Sequence, residues 1–323
     1  MRLPAGGYLA GMSFLRSEVD LHTPAECVRQ RSVAAPPWPP VRGAGRGVRP
    51  LLAAAALLTI VLALAACGAG DPGRDAHPTG EDEVVLRMTT GGGLVPIEYD
   101  FSLVPEFSLY GGGRVVVPGP VDAIYPGAAL PNLQTVVVPE ESLQSILSAA
   151  REAGLFDPSF DYGLPTVADG PTTTIVIDAG GSIHRSEIYA LTIEGAGGLS
   201  LEQQQARAAV NDARSKLIDL AAFVSGPIAW EQYQFSGLAV YTQAVDAGDP
   251  PDVQPNYLEW PLGDLSTLGE EASRPGSRRV VVSGKDLAAL RPLLDKATQI
   301  TIWSSGGSQY HLVFRPLLPD EKS

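Results

Sequence analysis

The sequence predicts an α+β fold, built as two small sheet-and-helix modules of β-α-β-β type with antiparallel hairpins, after an N-terminal signal segment. Three observations predict it. Short β-rich runs are punctuated by double and triple glycines at 91–93, 111–113, 180–181 and 306–307, which is how tight hairpin turns are written. Apolar residues fall at helical spacing in two longer segments that carry start and stop signals. The charge-free run between Arg49 and Asp71 stands apart from everything that follows it.

The body begins with β-rich residues 84–90, followed by 106–110 and 114–117, a predicted hairpin across Gly111-Gly112-Gly113. Residues 133–138 form another β-rich run that leads into Pro139-Glu140-Glu141. Pro at the first helical position and acids facing the free amides of the first turn suit a helix start. Leu143, Ile146, Leu147 and Ala150 continue that helix with helical spacing, and Gly154 is its predicted stop. Residues 172–177 and 182–191 make a second hairpin around Gly180-Gly181. Ser200 with Gln203 three residues later forms a capping-box pattern, in which side chain and backbone satisfy each other's free donors. The helix it opens runs through Ala206, Val210, Ala213, Leu217 and Leu220 toward a stop at Gly226-Pro227.

The last third repeats the first in outline: Val280-Val281-Val282, a helix opened by Ser283 with Asp286 as its cap partner, a run at 299–303, and Gly306-Gly307 before 309–314. The landmarks suit either a duplicated module or two independent uses of a common unit. Residues 84–226 are therefore taken as a first module ending in the long helix, and 227–323 as a second. A less regular stretch follows Gly226 and holds Trp230, Tyr233, Phe235, Tyr241, Tyr257 and Trp260. These aromatics are expected either to pack between the modules or to line a recognition groove.

Upstream of the body, Arg42, Arg46 and Arg49 precede the apolar residues 51–66, which end Leu64-Ala65-Ala66-Cys67-Gly68. Basic residues, an apolar stretch and then small residues is the order of a secretory signal. The five residues 64–68 resemble the lipobox of bacterial lipoproteins. That resemblance implies acylation of the Cys67 thiol, cleavage before it, and attachment of the remainder to the outer face of the membrane by lipid such as palmitate. An uncut transmembrane helix is the competing reading, although 16 apolar residues span only about 24 Å of a roughly 30 Å hydrocarbon core. Residues 41–66 are thus the expected signal peptide. Residues 1–40 are polar, Pro-rich and without hydrophobic period, and are expected to be an extension ahead of a true start at Val41 or Val48, or else disordered. Residues 67–83, rich in Gly, Pro, Asp and Glu, read as a flexible tether.

Several further segments carry a resemblance to an uncharacterised family of actinobacterial lipoproteins. They are Phe107-Ser108-Leu109-Tyr110 with Arg114-Val115, Ala129-Leu130-Pro131-Asn132-Leu133, Ala168-Asp169-Gly170-Pro171-Thr172-Thr173, and Arg315-Pro316-Leu317-Leu318-Pro319-Asp320-Glu321. The resemblance implies lipoprotein status and transfers no activity.

Charge narrows the partners. Residues 67–323 carry 16 basic and 33 acidic side chains, a net charge near −17. Such a field repels phosphate backbones, so nucleic acid is not an expected partner, whereas an envelope protein or a cationic ligand is. After Cys67 there is no cysteine, which removes disulfides, zinc clusters and thiol nucleophiles from the body. His184 and His311 follow the two Gly-Gly turns at offsets that differ by one residue, so a matched metal-binding pair is not expected. Ser304-Ser305-Gly306-Gly307 lacks the spacing of a nucleophile elbow. No metal and no cofactor are expected.

The most informative loop is 157–174, which gathers Asp157, Asp161, Tyr162 and Asp169. Loops of this length inside compact domains carry function more often than short connections do, and clustered carboxylates suit cations. These four residues are the candidate ligand-binding set. The expected function is that of a non-enzymatic binding or interaction lipoprotein of the cell envelope. A carboxylate-dependent hydrolase or sugar-modifying enzyme and the solute-binding component of a transporter are the alternatives.

Overall fold

A computed structural model describes residues 74–245 and 253–321; the apolar run, Cys67 and everything before them lie outside the described residues. The fold is α+β, with two sheets rich in antiparallel pairs.

In chain order the first sheet and its helices are β1 (Val84–Gly91), α1 (Ile97–Ser102), β2 (Phe107–Tyr110), β3 (Arg114–Pro118), β4 (Leu133–Val137), α2 (Glu140–Glu152), β5 (Thr172–Ala179), β6 (Ser182–Tyr189), α3 (Leu201–Asp219) and β7 (Glu231–Gln232). The strands lie in the order β6-β5-β1-β2-β3-β4-β7, all antiparallel. The second sheet contains β8 (Gly237–Ala244), β9 (Tyr257–Glu259), β10 (Glu270–Glu271), β11 (Arg278–Ser283), β12 (Ile302–Ser305) and β13 (Ser308–Pro316), with α4 (Gly284–Leu294) between β11 and β12. Its order is β10-β11-β8-β13-β12-β9, and β9 pairs with β12 in parallel.

Side-chain alternation along each strand gives each sheet two faces. In the first sheet Leu86 and Met88 pair with Ile177 and Ile175 and pack with Leu143, Ile146 and Leu147 of α2 and Val210 and Leu217 of α3. Burying each such side chain contributes roughly 1.5–3 kcal/mol, so this cluster dominates the stability of the first half. In the second sheet Leu238, Val240 and Phe314 pack against Leu287, Leu290 and Leu294 of α4. Trp303 is edge-on to both Trp260 and Phe314.

The remaining faces are covered reciprocally. From the first half, Phe101 of α1 stacks on Tyr241 of β8, with ring centroids 4.4 Å apart. From the second half, the chain after β13 lies on the first sheet, where Leu318 and Tyr233 pack with Tyr110, Val116 and Leu133. Asp320 takes two hydrogen bonds from the Arg87 guanidinium, at 2.8 and 2.7 Å, and one from the Tyr110 hydroxyl at 2.9 Å. Burial opposes ionisation of Asp320, but the Arg87 hydrogen bonds and charge outweigh it and hold the carboxyl below its ordinary value. Burial pushes the Tyr110 phenol well up. Arg315 grips Glu321 through two nitrogens and donates to the Leu103 carbonyl. The 119–132 loop adds a third link, in which Ala129 donates to Ala297 and Gln299 donates to Gly127.

The two Gly-turn hairpins of the first half and the one of the second half form as the sequence predicts. The Ser200–Gln203 capping box is complete. Elsewhere the structure corrects the sequence. The long helix α3 ends at Asp219, not at Gly226, because Leu220 turns left-handed at φ 58° and is fully buried. Ser283 precedes α4 without a side-chain cap; Gly284, at φ 55°, takes the chain off the path that a capping box requires.

The stretch after Gly226 is more regular than composition suggests, since β8 is a central strand paired on both sides. The first sheet also takes β7 from beyond residue 226. The two modules differ in topology: the inner strand of the hairpin is β5, the first strand, in one and β13, the second, in the other. Part of the segment assigned to the tether is held down. Asp75 exchanges two hydrogen bonds with the Gln144 side chain, pairs with Arg151, and is followed by Ala76, whose carbonyl accepts from Gly180. His77 lies 3.1 Å from Glu140.

Candidate functional site

Where α2 ends and α3 begins, the chain between them forms the wall of an open cleft of about 600 Å³. Its floor is made of small side chains, Ala153 from the end of α2 and Ala206 and Ala209 from α3. Four carboxylates line it: Glu152 from α2, Asp157 and Asp161 from the loop, and Glu202 from the first turn of α3. Phe160, which is 42 % exposed, adds an aromatic wall and tilts against Tyr162.

Local backbone requirements fix the loop. Gly154, at φ 82°, ends α2, and a Cβ there would meet the Phe160 ring at 2.8 Å. Asp157 then caps its own turn by accepting from the Ser159 amide at 2.8 Å and the Ser159 hydroxyl at 2.6 Å, as Asp does in loops. Asp161 accepts from the Gly163 amide and from Gln203 Nε2, both at 2.8 Å. Gln203 Oε1 meanwhile accepts from the Ser200 amide, so one side chain closes the capping box and ties the loop to the helix. Gly163 is needed at φ 63°, because a Cβ would stand 2.5 Å from the Gln203 side chain.

Hydrogen bonds from Ser159 hold the Asp157 carboxyl below its ordinary value, and those from Gln203 and Gly163 do the same for Asp161. Both are therefore anionic at neutral pH. Their partners are neutral, so the charge is stabilised without being cancelled.

Of the four candidate residues, the structure brings Asp157 and Asp161 into the cleft and separates the others from it. Tyr162 turns into the core of the first half. Burial pushes its phenol up, and Ser186 lies close enough to act on it electrostatically without making a hydrogen bond of good geometry. Asp169 sits in a left-handed turn at φ 52°, where its carbonyl accepts from Leu94. Sequence reasoning missed Glu152, Glu202 and Gln203. The signal for the last was already present in the capping box, whose amide has a free end.

Beneath the cleft, Arg207 of α3 is 6 % exposed. It donates to the carbonyls of Tyr162, Tyr189 and Ala190 at 3.2, 2.8 and 2.7 Å. Burial lowers its pKa. It fixes the loop and the end of β6 to α3.

His184 and His311 lie in different sheets, and His184 packs on Phe156. The six aromatics after Gly226 line no common groove: Trp230 packs on the first core, Tyr233 and Phe235 lie between the sheets, Trp260 is in the second core, Tyr241 is stacked under Phe101, and Tyr257 is exposed on β9. Among the described residues, no group of three or more His, Cys, Asp or Glu is placed to hold a metal ion. Among them, too, no helix is long and apolar enough to cross a membrane. No family profile, curated protein or solved structure matches the chain.

Proposed function

We propose that this chain is a cell-envelope lipoprotein, held at the outer membrane face through Cys67, whose folded part binds a cationic ligand in the cleft between α2 and α3. The cleft carries the binding reading. Its carboxylates come from three elements and do not converge as a metal-binding group, which suits an extended ligand with several positive centres. The floor of alanines accepts the aliphatic stem of a lysine or polyamine. A carboxylate hydrolase would need one acid held protonated by a raised pKa; the two loop acids, Asp157 and Asp161, are both shifted the other way and do not supply it. The address rests on residues 64–68 and the apolar run before them.

The test is calorimetric titration of the detergent-solubilised mature protein with tri-lysine and, as control, tri-glutamate. Tri-lysine is expected to bind, more weakly as salt rises, and to lose most of its affinity in the Asp157→Asn/Asp161→Asn variant. Equal heats for both peptides, or binding unchanged in that variant, would remove the cleft from the account.

A further inference from the structure

The loop from β3 to β4 does something the fold does not require. Val121, Ile124 and Tyr125 are exposed by 77 %, 67 % and 70 %, three large apolar side chains within five residues. Single exposed apolar residues are ordinary, but a cluster on one loop marks an interaction surface. Nor is the loop loosely hung. At its start Gly119 donates to Asn132 and the Asn132 side chain donates back to the Pro120 carbonyl at 2.7 Å. At its other end Gln299 donates to Gly127 at 3.0 Å. The tip is therefore presented from two fixed ends, which lowers the ordering cost of binding.

We propose that residues 121–125 are a docking element for a protein partner that offers an apolar pocket with a basic rim. Charge selects a protein over the bilayer: between Arg114 and Arg151 the chain has no Lys or Arg, and the loop itself carries Asp122, whereas loops and helices that settle on anionic lipid need basic residues beside the apolar ones.

Incorporating a photoreactive benzoylphenylalanine in place of Ile124 in the full chain, expressed in its own host and irradiated in living cells, tests this. The control is the same probe at Ile183, which is 70 % exposed beside the Gly180-Gly181 turn. A discrete adduct with one other protein at 124, absent at 183 and lost when Val121→Asp and Tyr125→Asp are added, is the expected result. Melting curves of the substituted chain that match the parent show that the loss is local. An adduct with lipid, an adduct of two copies of this chain, an adduct indifferent to the two substitutions, or none at all overturns the proposal.

Discussion

Asp320 at the junction of the two sheets and Asp161 in the cleft are both carboxylates held by several hydrogen bonds and both displaced below their ordinary pKa. Their partners differ. Asp320 meets a guanidinium and a phenol in a setting where Arg87 and Asp320 side chains are 21 % and 24 % exposed. Asp161 meets an amide N–H and a glutamine and faces open solvent. The first arrangement cancels a charge and joins distant parts of the chain. The second preserves a charge and points it outward. The two acids are thus told apart by what donates to them, not by how many bonds they accept.

Breaking the junction is expected to have the largest effect. Arg87→Ala removes the cation and leaves Asp320 partly buried among groups that no longer balance it, which costs roughly 2–3 kcal/mol, read as a lowered denaturant midpoint. A loss under about 0.5 kcal/mol, the usual range of surface substitutions, would mean that the pair is ornamental.

Gly163→Ala comes next. A non-glycine residue in the left-handed region costs about 1–3 kcal/mol, and here the added carbon also displaces Gln203. Both stability and tri-lysine affinity are expected to fall, with Asp161 freed from its helix partner; unchanged affinity would show that the loop geometry is irrelevant to the cleft.

Acid sharpens the comparison. Because the folded pKa of Asp320 is depressed, its contribution is fully present above the unfolded value of about 3.9 and is lost as pH falls through the folded value. Stability from the junction is therefore expected to hold from neutrality down to about pH 4 and to decline below it, and the acid decline of the whole protein should be shallower in Asp320→Asn. The smallest effect on stability is expected from Asp157→Asn, within about ±0.5 kcal/mol, accompanied by a clear loss of tri-lysine affinity. A large stability loss there would place Asp157 with the structural acids.

Much of the secondary structure was legible because it is local. The Gly-Gly turns, Pro139 with Glu140 and Glu141, and Ser200 with Gln203 each act within a few residues. β8 was not legible: Leu238, Ala239 and Val240 are all fully buried, so the strand lacks the alternation that betrays a half-buried one. Nor was the junction, since Arg87 and Asp320 are 233 residues apart and no periodicity links them. Tyr110, Leu133, and Leu318 with Asp320 belong to that junction and its surroundings, and they come from three stretches of the chain that no local pattern joins. Of the cleft, the loop acids were legible from loop length and composition. Glu152 and Glu202 were not, because each belongs to a helix and reaches the site only through packing.

The most direct test of the account is mass spectrometry of the mature protein isolated from its host membranes. An N-terminal peptide beginning at an acylated Cys67, with nothing recovered from residues 41–66, is the result predicted. A chain that retains those residues and carries an unmodified Cys67 would contradict the lipid anchor and with it the placement of the acidic body at the membrane face.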